Sequence, residues 1–423
     1  MPEAVIVSAA RSPIGRAFKG SLKDVRPDDL TAQIIGAALA KVPELDPRTI
    51  DDLMLGCGLP GGEQGHNLAR IVAVQMGMDY LPGATITRYC SSSLQTTRMA
   101  LHAIKAGEGD IFISAGVETV SRSINGTSDG MPGTMNPLFD EAMARTKHRA
   151  ETGNTGAARS ASNEGGGGRR AGEWHDPRED GLLPDAYIAM GQTAENLAAL
   201  KGITRAEQDE FGVRSQNLAE AAIKAGFWQR EITPVTLPDG TVVSADDGPR
   251  AGVTVEGVSG LKPVFRPDGT VTAGNCCPLN DGAAALVIMS DTKARELGIT
   301  PLARVVSTGV SALSPEIMGY GPVEASKQAL KRAGLSIGDI DLVEINEAFA
   351  AQVIPSYRDL GIDLDRLNVN GGAIAVGHPF GMTGARITTT LINSLQWHDK
   401  QFGLETMCVG GGQGMAMVIE RLS

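Results

Sequence analysis

The feature that most restricts the fold of this chain is an internal repeat, because two copies of one strand and helix order must pack against each other. Residues 4 to 121 alternate strand and helix: Val5-Ile6-Val7, an amphipathic helix over 29–40, Leu53-Met54-Leu55, a helix over 67–76, Gly83-Ala84-Thr85-Ile86-Thr87, a helical pattern from Leu94 to Ile104, and Ile111-Phe112-Ile113-Ser114-Ala115-Gly116. Residues 302 to 421 follow the same order. Ala303-Arg304-Val305-Val306-Ser307 echoes Ala4-Val5-Ile6-Val7-Ser8, Ile340-Asp341-Leu342-Val343 echoes Ile50-Asp51-Asp52-Leu53, and Met407-Cys408-Val409-Gly410 is matched with Ile113-Ser114-Ala115-Gly116. Such alternation implies an α/β fold with a mostly parallel sheet covered by helices, and the duplication predicts two stacked halves.

Between the halves, residues 122 to 189 are rich in Gly, Ser, Asn, Arg and Asp, and Asn163-Glu164-Gly165-Gly166-Gly167-Gly168-Arg169-Arg170 is low in complexity. This run reads as a mobile surface loop rather than a phosphate cradle, since no strand precedes it. The helical pattern resumes at Met190, with a capping box at Thr204 and Glu207, and residues 229 to 262 read as short strands and turns. With 38 Lys and Arg against 49 Asp and Glu, the net charge of −11 argues against a general nucleic-acid or membrane-surface binder. Five cysteines without a CxxC pair read as reduced thiols of a cytoplasmic protein. No apolar run reaches the ~18 residues of a membrane span. The first residues enter a strand pattern directly, so no cleavable leader is expected, and the Arg421-Leu422-Ser423 ending is not a peroxisomal signal.

Four places could carry chemistry. Cys90, in Arg88-Tyr89-Cys90-Ser91-Ser92-Ser93-Leu94-Gln95, falls between a strand and a helix start. The positive end of that helix would favour its thiolate, although a buried apolar cysteine fits the same segment. His378 sits in a glycine-rich approach, Asn370-Gly371-Gly372 through Gly377-His378-Pro379-Phe380-Gly381. Counted from Leu53 and Leu342, Cys90 and His378 fall in corresponding strand-to-helix turns, so a thiol and its base could meet across the repeat. Cys408 precedes Val409-Gly410-Gly411-Gly412, whose bare amides could stabilise an oxyanion, or is a structural thiol. Asn346, after the strand at 341–343, is a site residue or a helix cap. Gly56-Cys57-Gly58-Leu59-Pro60-Gly61 imitates a dinucleotide loop, but its helix begins too late, so it reads as a turn. Cys276 and Cys277 read as small packing residues.

Taken together, Cys90-Ser91-Ser92-Ser93-Leu94-Gln95, Asn346-Glu347-Ala348-Phe349, Gly377-His378-Pro379 and Cys408-Val409-Gly410-Gly411-Gly412 resemble the motifs of the thiolase family, the 3-ketoacyl-CoA thiolases and acetyl-CoA acetyltransferases. Gly116-Val117-Glu118, Met190-Gly191-Gln192, Gly269 to Asn275 and Ile317-Met318-Gly319 extend the likeness over nearly the whole chain. The resemblance implies two βαβαβαββ halves in five α-β-α-β-α layers, with an inserted loop domain over coenzyme A. The expected divisions are 1–121, 122–255, 256–290 and 291–423. It implies Cys90 as acylated nucleophile, His378 as its activator and Cys408 as general acid and base. Asn346 would hold a water that forms one oxyanion hole with His378, and the N–H groups of Cys90 and Gly410 would form the other. Met190, Ser259, Met318, Ala348 and Phe349 would line the pantetheine and acyl path. No permanently bound cofactor or metal is implied; coenzyme A is substrate and product, and a homodimer or homotetramer is the expected assembly.

Departures from the family pattern are Ala189 before Met190-Gly191, Gly257 where a CoA-contacting serine is common, with Ser259 nearby, and the stretch 146–180. These bear on acyl-chain preference rather than on the chemistry. A ketoacyl synthase would lack the second catalytic cysteine, which Cys408 supplies, and a non-catalytic acyl-CoA binder would have no use for the full motif set.

Overall fold

The computed structural model describes residues 2–123, 134–161 and 174–423. The first half runs β1 (Ala4–Arg11), α1 (Pro27–Ala40), β2 (Asp52–Cys57), α2 (Leu68–Gln75), β3 (Gly83–Ile86), α3 (Ser92–Ala106) and β4 (Ile111–Thr119). The intervening region contributes α4 (Met190–Lys201) and α5 (Arg205–Ala225), and the chain returns to the first half as β5 (Asn280–Ser290). The second half is β6 (Ala303–Ala312), α6 (Gly321–Ala333), β7 (Leu342–Ile345), α7 (Ala350–Leu360), α8 (Thr383–Trp397), β8 (Phe402–Val409) and β9 (Gln413–Arg421).

The strands form one hydrogen-bonded path in the order β7-β8-β9-β6-β1-β5-β4-β2-β3, in which five neighbouring pairs are antiparallel and three parallel, so the sheet is mixed rather than mostly parallel as the alternation suggested. The halves join at β1 and β6 through only Val5 opposite Arg304 and Ile6 opposite Ala303. Strand alternation sorts the side chains into layers. In β5, Ala283, Ala285, Val287 and Met289 pack with α1 and α2, while Ala284, Leu286 and Ile288 face α3 and α8. In β9, Met415, Met417 and Ile419 join that same central layer, and Ala416 and Val418 face α6 and α7. The result is the five-layered α-β-α-β-α arrangement, with α3 and α8 in the middle.

Matching hydrogen bonds fix the register of the repeat. Ser8 Oγ donates to Ala38 O and Ser307 Oγ to Ala329 O, each at 2.7 Å. Asp51 Oδ2 accepts from the N–H groups of Asp110 and Ile111, and Asp341 Oδ2 from those of Gln401 and Phe402. Ile111 therefore corresponds to Phe402, and Met407–Gly410 corresponds to Gly116–Thr119 rather than to residues 113–116 as the sequence pattern suggested. The local pattern was misleading because both stretches are small and apolar.

Part of the expected loop is regular: residues Asp140–Ala161 are helical across a kink at Gly153, φ 72°. The low-complexity run 163–170 lies outside the described residues. Among the described residues, no helix is long and apolar enough to cross a membrane.

The central helices meet at their N-terminal turns. A Cβ on Gly384 would lie 2.2 Å from Leu94 N, and Ala385 N–H donates to Ser93 Oγ at 2.9 Å. Gly384→Ala must push backbone against backbone, so its urea-unfolding midpoint is expected to fall, with a loss of about 1–3 kcal/mol; an unchanged midpoint would contradict this contact.

Candidate active site

The α3–α8 contact brings the two reactive turns together. Cys90 lies in a 3-10 turn, Tyr89–Ser91, immediately before α3, and is 7% exposed. Gly410, in the turn between β8 and β9, lies with its N–H near enough to the Cys90 sulfur to lower its pKa. Its bare Cα packs against Tyr89, and an added Cβ would be 3.1 Å from that ring. Cys408, two residues earlier at the end of β8, is fully buried and close enough for the Cys90 sulfur to raise its pKa.

His378 is buried in the loop before α8. Its backbone N–H donates to Asn280 Oδ1 at 2.9 Å. Thr383 Oγ1 lies 2.7 Å from Pro379 O and 2.6 Å from His378 Nδ1. Since the carbonyl can only accept, the threonine hydrogen goes to Pro379, and Nδ1–H donates to the hydroxyl. Nε2 is then the basic nitrogen. Asn346 Nδ2 lies 3.2 Å from Nε2. Asn346 follows β7, with its N–H on Thr406 O at 3.0 Å, and its buried Oδ1 has no protein partner. Helix α7 starts at Ala350 after Phe349, so Asn346 is not a helix cap.

The protonation states differ from the expectation drawn from the helix dipole. Burial pushes the Cys90 thiol up to about 12; the Gly410 N–H opposes this and the field of Glu118 adds to it. Burial, with the positive Arg386 second, depresses His378 to about 3. Burial and then the neighbouring Cys90 raise Cys408 well above the ordinary thiol value. Desolvation outweighs the dipole, and the resting pair is a neutral thiol and a neutral imidazole.

The other expected site residues divide. Met318, Ala348 and Phe349 are buried in the apolar cluster that holds Cys408, and Met190, the first residue of α4, packs on it. The Phe349 ring meets Phe265 edge to face, centroids 6.1 Å apart. Ser259 stands apart: it is exposed at the end of the short helix Val255–Ser259, and its hydroxyl donates to Glu256 O. Cys276 and Cys277 pack against the apolar cluster, as expected, and they do so beside the reactive thiols. Cys277 N–H donates to Ala348 O, Cys276 bridges to Phe349, and Cys90 and Cys408 both raise the Cys277 pKa, after burial and Cys276. Their proximity was hidden because a segment of the first half crosses to the second here. Thr383 and Asn280, which orient His378, carried no signal beyond being polar beside glycines.

The comparisons with known proteins come from the whole chain. A model described as "Thiolase, N-terminal domain" matches residues 4–292, and "Thiolase, C-terminal domain" matches residues 299–421. The chain is 40% identical over 433 residues to the 3-ketoacyl-CoA thiolase of Bacillus subtilis (strain 168), covering 99% of this chain and 100% of that one. It is 40% identical to an acetyl-CoA acetyltransferase of Allochromatium vinosum, with 99% of each covered. A crystal structure of the Bacillus anthracis acetyl-CoA acetyltransferase superposes with TM-score 0.83 at 39% identity, covering 100% of this chain and 99% of the other.

With the resting thiol raised to about 12, alkylation of Cys90 by iodoacetamide should accelerate about tenfold per pH unit between neutrality and pH 10. No step should appear near the ordinary histidine value. A plateau reached below pH 8 would show instead a preformed thiolate.

Proposed function

The chain belongs to the thiolase family, and from that premise we propose how its residues carry out the family reaction. That reaction is CoA-dependent acyl transfer through an acyl-cysteine: thiolytic cleavage of a 3-ketoacyl-CoA to acetyl-CoA and a shortened acyl-CoA, or the reverse Claisen condensation. The observation that carries the residue roles is the meeting, at one point, of the Cys90 sulfur, the Gly410 N–H and the Cys408 turn, against the turn that holds His378.

In cleavage, Cys90 attacks the 3-keto carbon as its proton passes to His378 Nε2. The buried neutral pair makes this transfer part of the attack rather than a step before it. The imidazolium Nε2–H then becomes a donor, and with a water held by Asn346 it stabilises the thioester oxygen of the leaving enolate. The N–H groups of Cys90 and Gly410 face the oxyanion formed at the attacked carbonyl. Cys408, held as a thiol by burial, protonates the enolate carbon. Its thiolate next takes the proton of incoming coenzyme A, whose sulfur bonds to the acyl carbon as the bond to Cys90 breaks, and the leaving Cys90 thiolate recovers its proton from the His378 imidazolium. Condensation runs these steps backward, with Cys408 removing the α-proton.

Met190, Met318, Ala348 and Phe349 form the wall along which the pantetheine and acyl chain lie, and Ser259 contacts coenzyme A only near its exposed end. The described part of residues 122–255 covers that ligand. The names of the relatives support a place in fatty-acid metabolism. Five free thiols suit the reducing cytoplasm. A second copy of the chain fits against the β3 edge, beside which α2 exposes Ile71 and Val74.

Two variants separate the roles. Cys90→Ala should abolish both directions and leave no acyl-enzyme by mass spectrometry. Cys408→Ala should still become acylated by acetyl-CoA, yet lose between about 10² and 10⁴ in condensation rate. Full thiolysis by Cys90→Ala, or no acylation of Cys408→Ala, would overturn the assignment.

A further inference from the structure

We propose that Glu118 is a positioning residue whose buried carboxylate ties the turn carrying His378 to the glycine turn behind Cys90, so that one side chain sets the separation of the two reacting groups. The proposal rests on the roles given above to Cys90 and His378. Glu118 lies near the end of β4 and is fully buried. Its Oε2 accepts the N–H of Gly58 at 2.8 Å and that of Gly381 at 2.9 Å. Its Oε1 accepts Gln64 Nε2 at 2.7 Å and Leu59 N–H at 3.3 Å. Gly381 is in the His378 loop. Gly58 O accepts the hydroxyl of Thr87, and Ser92 Oγ, whose hydrogen goes to Tyr89 O at 2.6 Å, lies 3.3 Å from Cys57 O, so the turn is touched on each side of Cys90.

The chemistry of this cluster requires an acceptor on both oxygens. Four of its partners are N–H donors, the Cys57 thiol lies 4.0 Å from Oε1, and none is a cation, so neutral donors compensate the buried acid. A glutamine here would turn an NH₂ group against at least one of them. Space is equally restrictive: a Cβ on Gly58 would come within 2.7 Å of both Glu118 Oε2 and Phe380 Cβ. Gly58, in the pattern that imitates a nucleotide loop, is thus explained by the clamp. In the second half the matching position is Val409, which carries no acid, so the clamp exists once in the duplicated fold.

The test uses Glu118→Gln and Gly58→Ala in the full-length enzyme, with kcat, KM and the pH profile of Cys90 alkylation as readouts. Misplacing the turns should lower kcat by about 100-fold in both variants, with KM little changed. Removing the charge should also move the alkylation profile of Glu118→Gln to lower pH, whereas Gly58→Ala keeps the charge and should leave the profile in place. A lost fold alone would not separate the two variants in this way. Near wild-type kcat in either variant, or an unmoved profile in Glu118→Gln, overturns the proposal; should Glu118→Gln not fold, the kcat of Gly58→Ala decides. If Cys90→Ser is alkylated and turns over like the wild type, it is the nucleophile assignment that fails instead.

Discussion

The contact on which the rest of the structure depends is the abutment of two helix N-termini in the central layer. Helices α3 and α8 approach until the Gly384 Cα rests against the Leu94 backbone, and Ser93 Oγ accepts the Ala385 N–H. Gly116 allows the Gly381 carbonyl to lie where its Cβ would be, within 2.1 Å. Without these bare positions the sheets would stand further apart, and the thiol of one half would not reach the imidazole of the other. The same closeness buries the polar groups here, which is why so many of them are held by backbone partners.

That burial governs the proton inventory. An ion pair between Cys90 and His378 would need two charges in a site that has already pushed the thiol up to about 12 and the imidazole down to about 3. The site stores its acid and base in neutral form, and charge appears only when a carbonyl oxygen accepts it. Donors fixed in advance then matter more than a preformed thiolate. The Thr383 to Pro379 hydrogen bond serves the same end, since it leaves Nε2 as the basic nitrogen before substrate arrives.

Much of this was legible in the chain. Periodicity marked β1, α1, β2, α2 and α3 within a few residues, because each buries one face. Cys90, His378, Cys408 and Asn346 stood out because reactive side chains beside glycines have few structural uses. Three things were not legible. The dipole argument for Cys90 failed because a sequence shows a helix start but not how deeply it is buried. The strand register of β8 slipped because its small residues resemble those of β4 at more than one offset. Cys277 and Glu118 were passed over because their meaning lies in contacts with residues far off in the chain, Ala348 for the one and Gly381 for the other.

The corrected register also shows where the two copies of the fold differ around the candidate site. Asn346 corresponds to Gly56, Met407 to Gly116 and Cys408 to Val117. At the first two pairs the second half carries a side chain where the first half has none. Gly56 is bare because the Ser92–Ser93 backbone occupies the space of its Cβ, and Gly116 because Gly381 and Ser93 do. The first half therefore gives up side chains where Ser92–Ser93 and Gly381 press against it, and the second half keeps them at Asn346 and Met407. Close packing thus makes the two halves unlike at these positions.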